Sequence, residues 1–177
     1  LTNWSSKNSL LKSNLKNKLK KVSLLILDVD GVLTDNGVYL GSDGNEFKKF
    51  NIGDGFGIYL IQKAGVQVAL LSGRYSKATE FRAKELGIGN VYNGYTDKLK
   101  AYQELKEKLS LSDQEIAFVG DDLPDIPVLK ECGVALTVQN AQEEVKDSAD
   151  YVTKLPGGSG AVREIIDLIL QAKRIKY

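Results

Sequence analysis

Leu24-Leu25-Ile26-Leu27 is a continuous apolar run that stops abruptly at Asp28-Val29-Asp30-Gly31. An unbroken run of this kind suits a strand buried on both faces of a parallel sheet. Acids directly after it suit the sheet edge where such folds collect their polar groups. Strand patterns recur over Val66–Leu71, Val91–Tyr92, Ile116–Val119, Val134–Leu136 and Tyr151–Val152. They alternate with helical patterns over Ser76–Leu86, Lys98–Leu109, Pro124–Glu131, Ala141–Lys146 and Ala161–Lys173. Such alternation predicts right-handed βαβ units and a mostly parallel sheet covered on both faces.

Two segments depart from the alternation. Leu11, Leu15 and Leu19 recur every four residues, which predicts a helix with a narrow apolar stripe, so residues 1–21 read as a helical extension of one domain spanning 22–177. Residues 37–50 carry Val38-Tyr39-Leu40 and Glu46-Phe47-Lys48-Lys49-Phe50 around the turn-rich Gly41–Asn45 stretch, which predicts a β-hairpin. Aromatic residues on a hairpin need cover, so Tyr39, Phe47 and Phe50 are expected to pack against another subunit. After Asn51-Ile52-Gly53-Asp54-Gly55 a helix is expected to run to Ala64, with Gly65 at its C-terminal cap.

The chain has no histidine and a single cysteine, Cys132. Triads, imidazole-built metal sites and thiol clusters are therefore excluded, leaving carboxylates, amines, guanidinium groups, hydroxyls and hard metal ions. Lys+Arg 24 against Asp+Glu 23 offers no basic field for nucleic acid. No apolar run reaches the roughly 18–20 residues of a membrane span, and residues 1–21 lack the compact apolar stretch of a secretory signal, so a cytoplasmic protein is expected.

Four strand ends carry the chemistry: Asp28 to Asp35, Ser72-Gly73-Arg74, Thr96-Asp97-Lys98, and Gly120-Asp121-Asp122-Leu123-Pro124-Asp125. Taken singly, each is explicable as turn, cap or surface chemistry. Taken together at the same edge of a parallel sheet, they converge. Clustered carboxylates repel unless a cation joins them, and oxygen donors without His or Cys favour Mg²⁺. Ser72, Arg74 and Lys98 supply the donors and positive charge that a phosphoryl group needs, and a carboxylate nucleophile is a known route of covalent catalysis.

With these motifs in place the chain resembles the haloacid dehalogenase (HAD) superfamily phosphatases. The resemblance rests on Asp28-x-Asp30-Gly31-Val32-x-Thr34-Asp35, Ser72, Lys98 and Gly120-Asp121-Asp122, in family order. It implies a Rossmann-like α/β fold with a protruding β-hairpin, Asp28 as nucleophile and Asp30 as general acid/base. It further implies that Ser72 and Lys98 hold the phosphoryl group, and that Mg²⁺ is bound by the Asp28 side chain, the Asp30 carbonyl and Asp121. Asp122 and Asp125 would be supporting carboxylates that orient Lys98 or metal-bound water. Only 44 positions separate Asp28 from Ser72 and 26 separate Ser72 from Lys98, so neither gap accommodates a cap domain.

The remaining pattern is similar to the capless 3-deoxy-D-manno-octulosonate 8-phosphate (KDO 8-phosphate) phosphatases. It includes Phe50 to Ile58, Leu71 to Arg74 and Gly157-Gly158-Ser159-Gly160-Ala161-Val162-Arg163-Glu164. This resemblance implies Mg-dependent hydrolysis for lipopolysaccharide biosynthesis and a tetramer built on the hairpins. It also implies substrate contacts from Asp30, Asn51, Ile52, Gly53, Asp54, Gly55, Arg74, Arg82 and Lys98. Many family members carry arginine where this chain has Gly53 and Tyr59, which keeps phosphates of KDN or N-acylneuraminate open as substrates. A catalytically silent oligomer should lack a nucleophile, acid/base or metal carboxylate, and Asp28, Asp30, Lys98 and Asp121 are all present. The Gly157–Gly160 stretch reads either as a flexible loop or as a close approach to a neighbouring subunit.

Overall fold

The computed structural model describes residues 4–176, with side chains from Ser13 onward. Strands β1 (Leu24–Leu27), β4 (Gln67–Ser72), β5 (Asn90–Asn93), β6 (Ile116–Gly120), β7 (Val134–Thr137) and β8 (Tyr151–Val152) form one sheet in the order β5-β4-β1-β6-β7-β8. Every pairing in it is parallel. Every residue of β1, β6 and β7 is buried. Successive strand residues point to opposite faces, so both faces are covered. The cover comes from α1 (Trp4–Lys21), α2 (Ile52–Lys63), α3 (Lys77–Glu85), α4 (Lys98–Leu109), α5 (Ile126–Glu131), α6 (Glu143–Asp147) and α7 (Ala161–Ala172). Among these, α2 and α1 pack on α7, and α4 packs on α5.

From β1 the chain adds β4 and β5 on one side, then crosses to add β6, β7 and β8 on the other. The carboxyl end of β1, between those of β4 and β6, is therefore the switch point where a ligand crevice forms.

Element positions follow the sequence patterns to within a few residues. The main difference lies after β6, where a single helix from Pro124 is replaced by a 3-10 turn over Leu123–Asp125 and then α5. Asp122 caps that turn by accepting from the Leu123 N–H, so the acids are spent on the turn before the helix begins. Likewise α6 starts at Glu143, two residues later than the pattern from Ala141.

The hairpin is present but short. Strands β2 (Tyr39–Leu40) and β3 (Glu46–Phe47) pair antiparallel, and a Thr34–Phe50 bridge closes the base. Val38, Leu40 and Phe47 stand out from the chain with 59–69% of their surface open. In α1, Leu19 enters the core and Leu15 packs against it, while the predicted stripe residue Leu11 and Trp4 lie outside the described side chains. Cys132 packs against the core, and burial pushes its thiol up to about 12, as suits a small core residue. Among the described residues no helix is long and apolar enough to cross a membrane.

Candidate active site

The carboxyl end of β1 delivers Asp28, whose main-chain N–H donates to Val119 of β6. The turn that follows needs Gly31 at φ +87 and is held by Thr34, whose Oγ1 accepts from the Gly31 N–H at 3.2 Å. β4 ends on Ser72, one residue beyond its predicted end, and the hydroxyl donates to the Arg74 carbonyl at 2.9 Å. The first residue of α4 is Lys98, placed by Asp97, whose carboxylate accepts from the Lys100 N–H. After β6 come Asp121 and Asp122, and both their N–H groups donate to Asp125 Oδ2.

These groups meet around the Lys98 ammonium, which is buried and lies 3.0 Å from Asp28 Oδ2 and 2.6 Å from Asp125 Oδ1. Asp125 is fully buried with both oxygens engaged, so it orients Lys98 and ties down the Asp121–Asp122 backbone. One oxygen from each of Asp28, Asp121 and Asp125 falls within 4.8 Å of the others. Burial above all pushes Asp28 up to about 7; the Asp125 charge adds to this and Lys98 opposes it. Asp121 is pushed up to about 8, first by burial and then by the charges of Asp28 and Asp125. Asp121 Oδ1 is buried and has no hydrogen-bond partner.

A buried carboxylate oxygen left unpaired is costly unless something positive reaches it. An all-oxygen set of two acids, with no nitrogen or sulfur donor, suits a hard divalent cation. The residues therefore fit Mg²⁺ held by Asp28 and Asp121, with the Asp30 carbonyl as the further ligand expected from the sequence.

A cavity of about 400 Å³ opens over this cluster, lined by Asp28, Asp30, Ser72, Arg74, Lys98 and Asp121 among others. Asp122 also lines it. Two contacts there were not legible in the sequence. Lys48, from just beyond β3, donates to both carboxylate oxygens of Asp30 at 2.6 and 2.8 Å. Glu46 accepts from the Arg74 guanidinium and, at 2.9 Å, from the Ser76 hydroxyl. Arg74 is thus paired within the chain. Isolated charges on a two-residue strand give no sequence signal of this.

The rest of the expected substrate set lies elsewhere. Asn51 is the N-cap of α2, its side chain accepting from the Asp54 N–H, and Ile52, Gly53, Asp54 and Gly55 form the first turn of that helix rather than a loop. Asp54 is buried, with Oδ1 accepting from the Arg163 N–H at 2.7 Å and Oδ2 from the Gly160 N–H at 3.3 Å. Burial nonetheless raises its carboxyl above the usual range, because those amides only partly offset desolvation. Arg82 donates to the Asn51 carbonyl and pairs with Glu85. None of these six residues lines the cavity over the acid cluster of its own chain.

The Gly157–Gly160 stretch is also settled against its own chain. The Gly158 N–H donates to the Val32 carbonyl, and a Cβ on Gly157 would fall 1.7 Å from the Gly31 carbonyl oxygen. The stretch is a close-packed buttress of the turn that follows Asp28.

A parallel sheet with this acid, hydroxyl and amine set at its switch point defines a haloacid dehalogenase-like hydrolase, and the model of that family matches residues 72–165. Within that class the chain belongs to the 3-deoxy-D-manno-octulosonate 8-phosphate phosphatase family. It is 45% identical to the enzyme of that name from Escherichia coli K12 over 156 residues, covering 88% of this chain and 83% of the relative. It is similarly close to the Salmonella typhi enzyme, at 44% identity over 91% of this chain and 86% of that one. Among solved structures, the Moraxella catarrhalis phosphatase in complex with a magnesium ion, a phosphate ion and KDO superposes with a TM-score of 0.90. That match has 39% identity and covers 92% of this chain and 93% of the other. The Yersinia pestis phosphatase gives a TM-score of 0.89 at 42% identity, covering 91% and 87%.

Proposed function

We propose that this protein is a Mg²⁺-dependent phosphatase that hydrolyses KDO 8-phosphate to KDO and inorganic phosphate, in the cytoplasm and for lipopolysaccharide synthesis. The observation that carries the reading is the Lys98 ammonium held between Asp28 and Asp125, with Asp121 beside them, at the floor of an open polar cavity.

Asp28 attacks phosphorus, forming an O–P bond as the bond from phosphorus to the sugar oxygen breaks. Asp30 gives its proton to that departing oxygen. Water then attacks the phosphorus of the aspartyl-phosphate, passes a proton to Asp30, and phosphate leaves with Asp28 restored. Lys98 lies close enough to Asp28 to steady the nucleophile and the phosphoryl oxygens, and Ser72 can turn its hydroxyl from the Arg74 carbonyl toward them. Mg²⁺, when bound, supplies positive charge that offsets repulsion between the acids and the phosphoryl group.

Small-molecule chemistry in a site this open calls for cover from outside the chain. The exposed Val38, Leu40 and Phe47 suit a homo-oligomeric interface through the 37–50 hairpin, and a tetramer is the expected assembly. In such an assembly the Asn51–Gly55 turn and Arg82 of one copy are candidates to reach the substrate of another. Light scattering should find a smaller species for Phe47→Asp; an unchanged mass would remove the hairpin from the interface.

Gly53 and Tyr59 favour a second reading, in which the substrate is KDN 9-phosphate or an N-acylneuraminate 9-phosphate. Phosphate release from these three sugar acid phosphates and from hexose phosphates, with Mg²⁺ and with EDTA, separates the readings. The first predicts strong preference for KDO 8-phosphate, abolished by EDTA. Equal, weak rates on all substrates would overturn it.

A further inference from the structure

We infer that Lys48 is a positioning residue for the Asp30 carboxylate, acting on the reaction from just beyond the second strand of the hairpin. Its ammonium contacts both oxygens of Asp30, at 2.6 and 2.8 Å, and the Thr79 hydroxyl at 3.4 Å. The Lys48 side chain is 1% exposed and that of Asp30 26%. The amine thus lies on the protein side of the carboxylate, and the open side of Asp30 borders the cavity.

An ammonium withdrawn from water needs a specific set of acceptors, and here Asp30 supplies the two shortest. A carboxylate has about four lone-pair sites. Two are taken by Lys48, which fixes the plane of the group and leaves the others for a leaving-group oxygen or a water. Rotation of the carboxylate would break one of the two contacts. Proton transfer needs a heavy-atom separation of about 2.6–3.2 Å, so this orientation bears directly on the step in which the departing oxygen is protonated.

The hairpin makes the contact by alternation. Glu46 and Lys48 are two residues apart and both reach inward, Glu46 to Arg74 and Ser76, Lys48 to Asp30. Phe47, between them, is 59% exposed on the opposite side. The segment presented to the outside thus shares its backbone with the one that orients Asp30.

The inference rests on the phosphatase reading, and the wild type tests that reading separately. The experiment measures first-turnover release of the alcohol from KDO 8-phosphate and of p-nitrophenol from p-nitrophenyl phosphate, whose phenolate departs with little need of a proton. Wild type, Lys48→Met, Lys48→Gln, Lys48→Arg and Asp30→Asn are compared, each at a folded fraction checked by circular dichroism. Removing the ammonium should slow the sugar ester about 100-fold and the nitrophenyl ester less than about threefold, as in Asp30→Asn. KM should stay within about threefold, and Lys48→Arg should recover at least about fivefold of the loss. Should Lys48→Met not fold, Lys48→Gln reads the same ratio. Equal losses on both esters, or a loss confined to KM, would overturn the inference. A wild type that cleaves neither ester overturns the phosphatase reading, and this one with it.

Discussion

Gly31 and Asp121 come so close that a Cβ on the glycine would fall 2.0 Å from Asp121 Oδ2. The acid that follows β6 is laid directly over the turn that follows β1, and only glycine permits this at φ +87. The contact crowds three carboxylates together, and it leaves Asp121 Oδ1 buried without a partner.

Asp121→Asn should therefore stabilise the metal-free protein while abolishing turnover. A carboxyl raised to about 8 makes the folded chain hold more protons than the unfolded one above pH 4. The stability it contributes is complete below about pH 4 and is lost as pH rises toward 8. At pH 8 without metal the variant should melt about 4 °C above wild type, or about 1–2 kcal/mol. The gap should close near pH 4. Excess Mg²⁺ should raise the melting temperature of wild type and leave that of the variant nearly unchanged. Differential scanning fluorimetry across pH checks this; a gap independent of pH would place the penalty in another group.

Asp28→Asn keeps the shape of the side chain proposed as nucleophile and removes its charge. Phosphate release should fall by about 10⁴-fold or more, with the fold intact. Turnover that survives the change would sink the covalent route.

Asp54 is expected to matter to stability rather than to the chemical step. Its carboxylate takes the place of a side-chain cap on α7, accepting from the Gly160 and Arg163 N–H groups. Asp54→Ala should cost about 2–3 kcal/mol, a fall of several degrees in melting temperature. A rise in KM beyond the loss of folded protein would return Asp54 to the substrate-binding set.

Gly157→Ala should disturb stability and kcat together. A Cβ there meets main-chain atoms of Gly31, which cannot swing aside as a flexible side chain would. The turn that follows Asp28 must shift instead, and a displacement of about 1 Å at a reacting group can cost about 100-fold in rate. Activity and melting temperature measured on one preparation would show whether they fall together.

Much of the site was legible before any coordinates. Asp28, Ser72, Lys98 and Asp121 each follow an apolar run or open a helix, and a parallel sheet gathers strand ends at one edge whatever their separation in sequence. The own-chain role of Asp54 could not be read from an acid among glycines, because the amides it accepts from lie 106 and 109 residues away. Lys48 and Glu46 were invisible because their partners are set by where the hairpin folds back toward Asp30, Arg74 and Ser76. No periodicity in the sequence records that approach.

The central position of β1 has a consequence during synthesis. It precedes both its neighbours, β4 and β6, in the chain, so its Leu-Leu-Ile-Leu ribbon leaves the ribosome with two bare edges. About 90 more residues must be translated before Ile116–Gly120 covers the second edge. At about 5–20 residues per second that is roughly 5–20 seconds of exposure. Asp28 waits equally long for Asp121 and Asp125, so no chain that ends before them carries the carboxylate cluster.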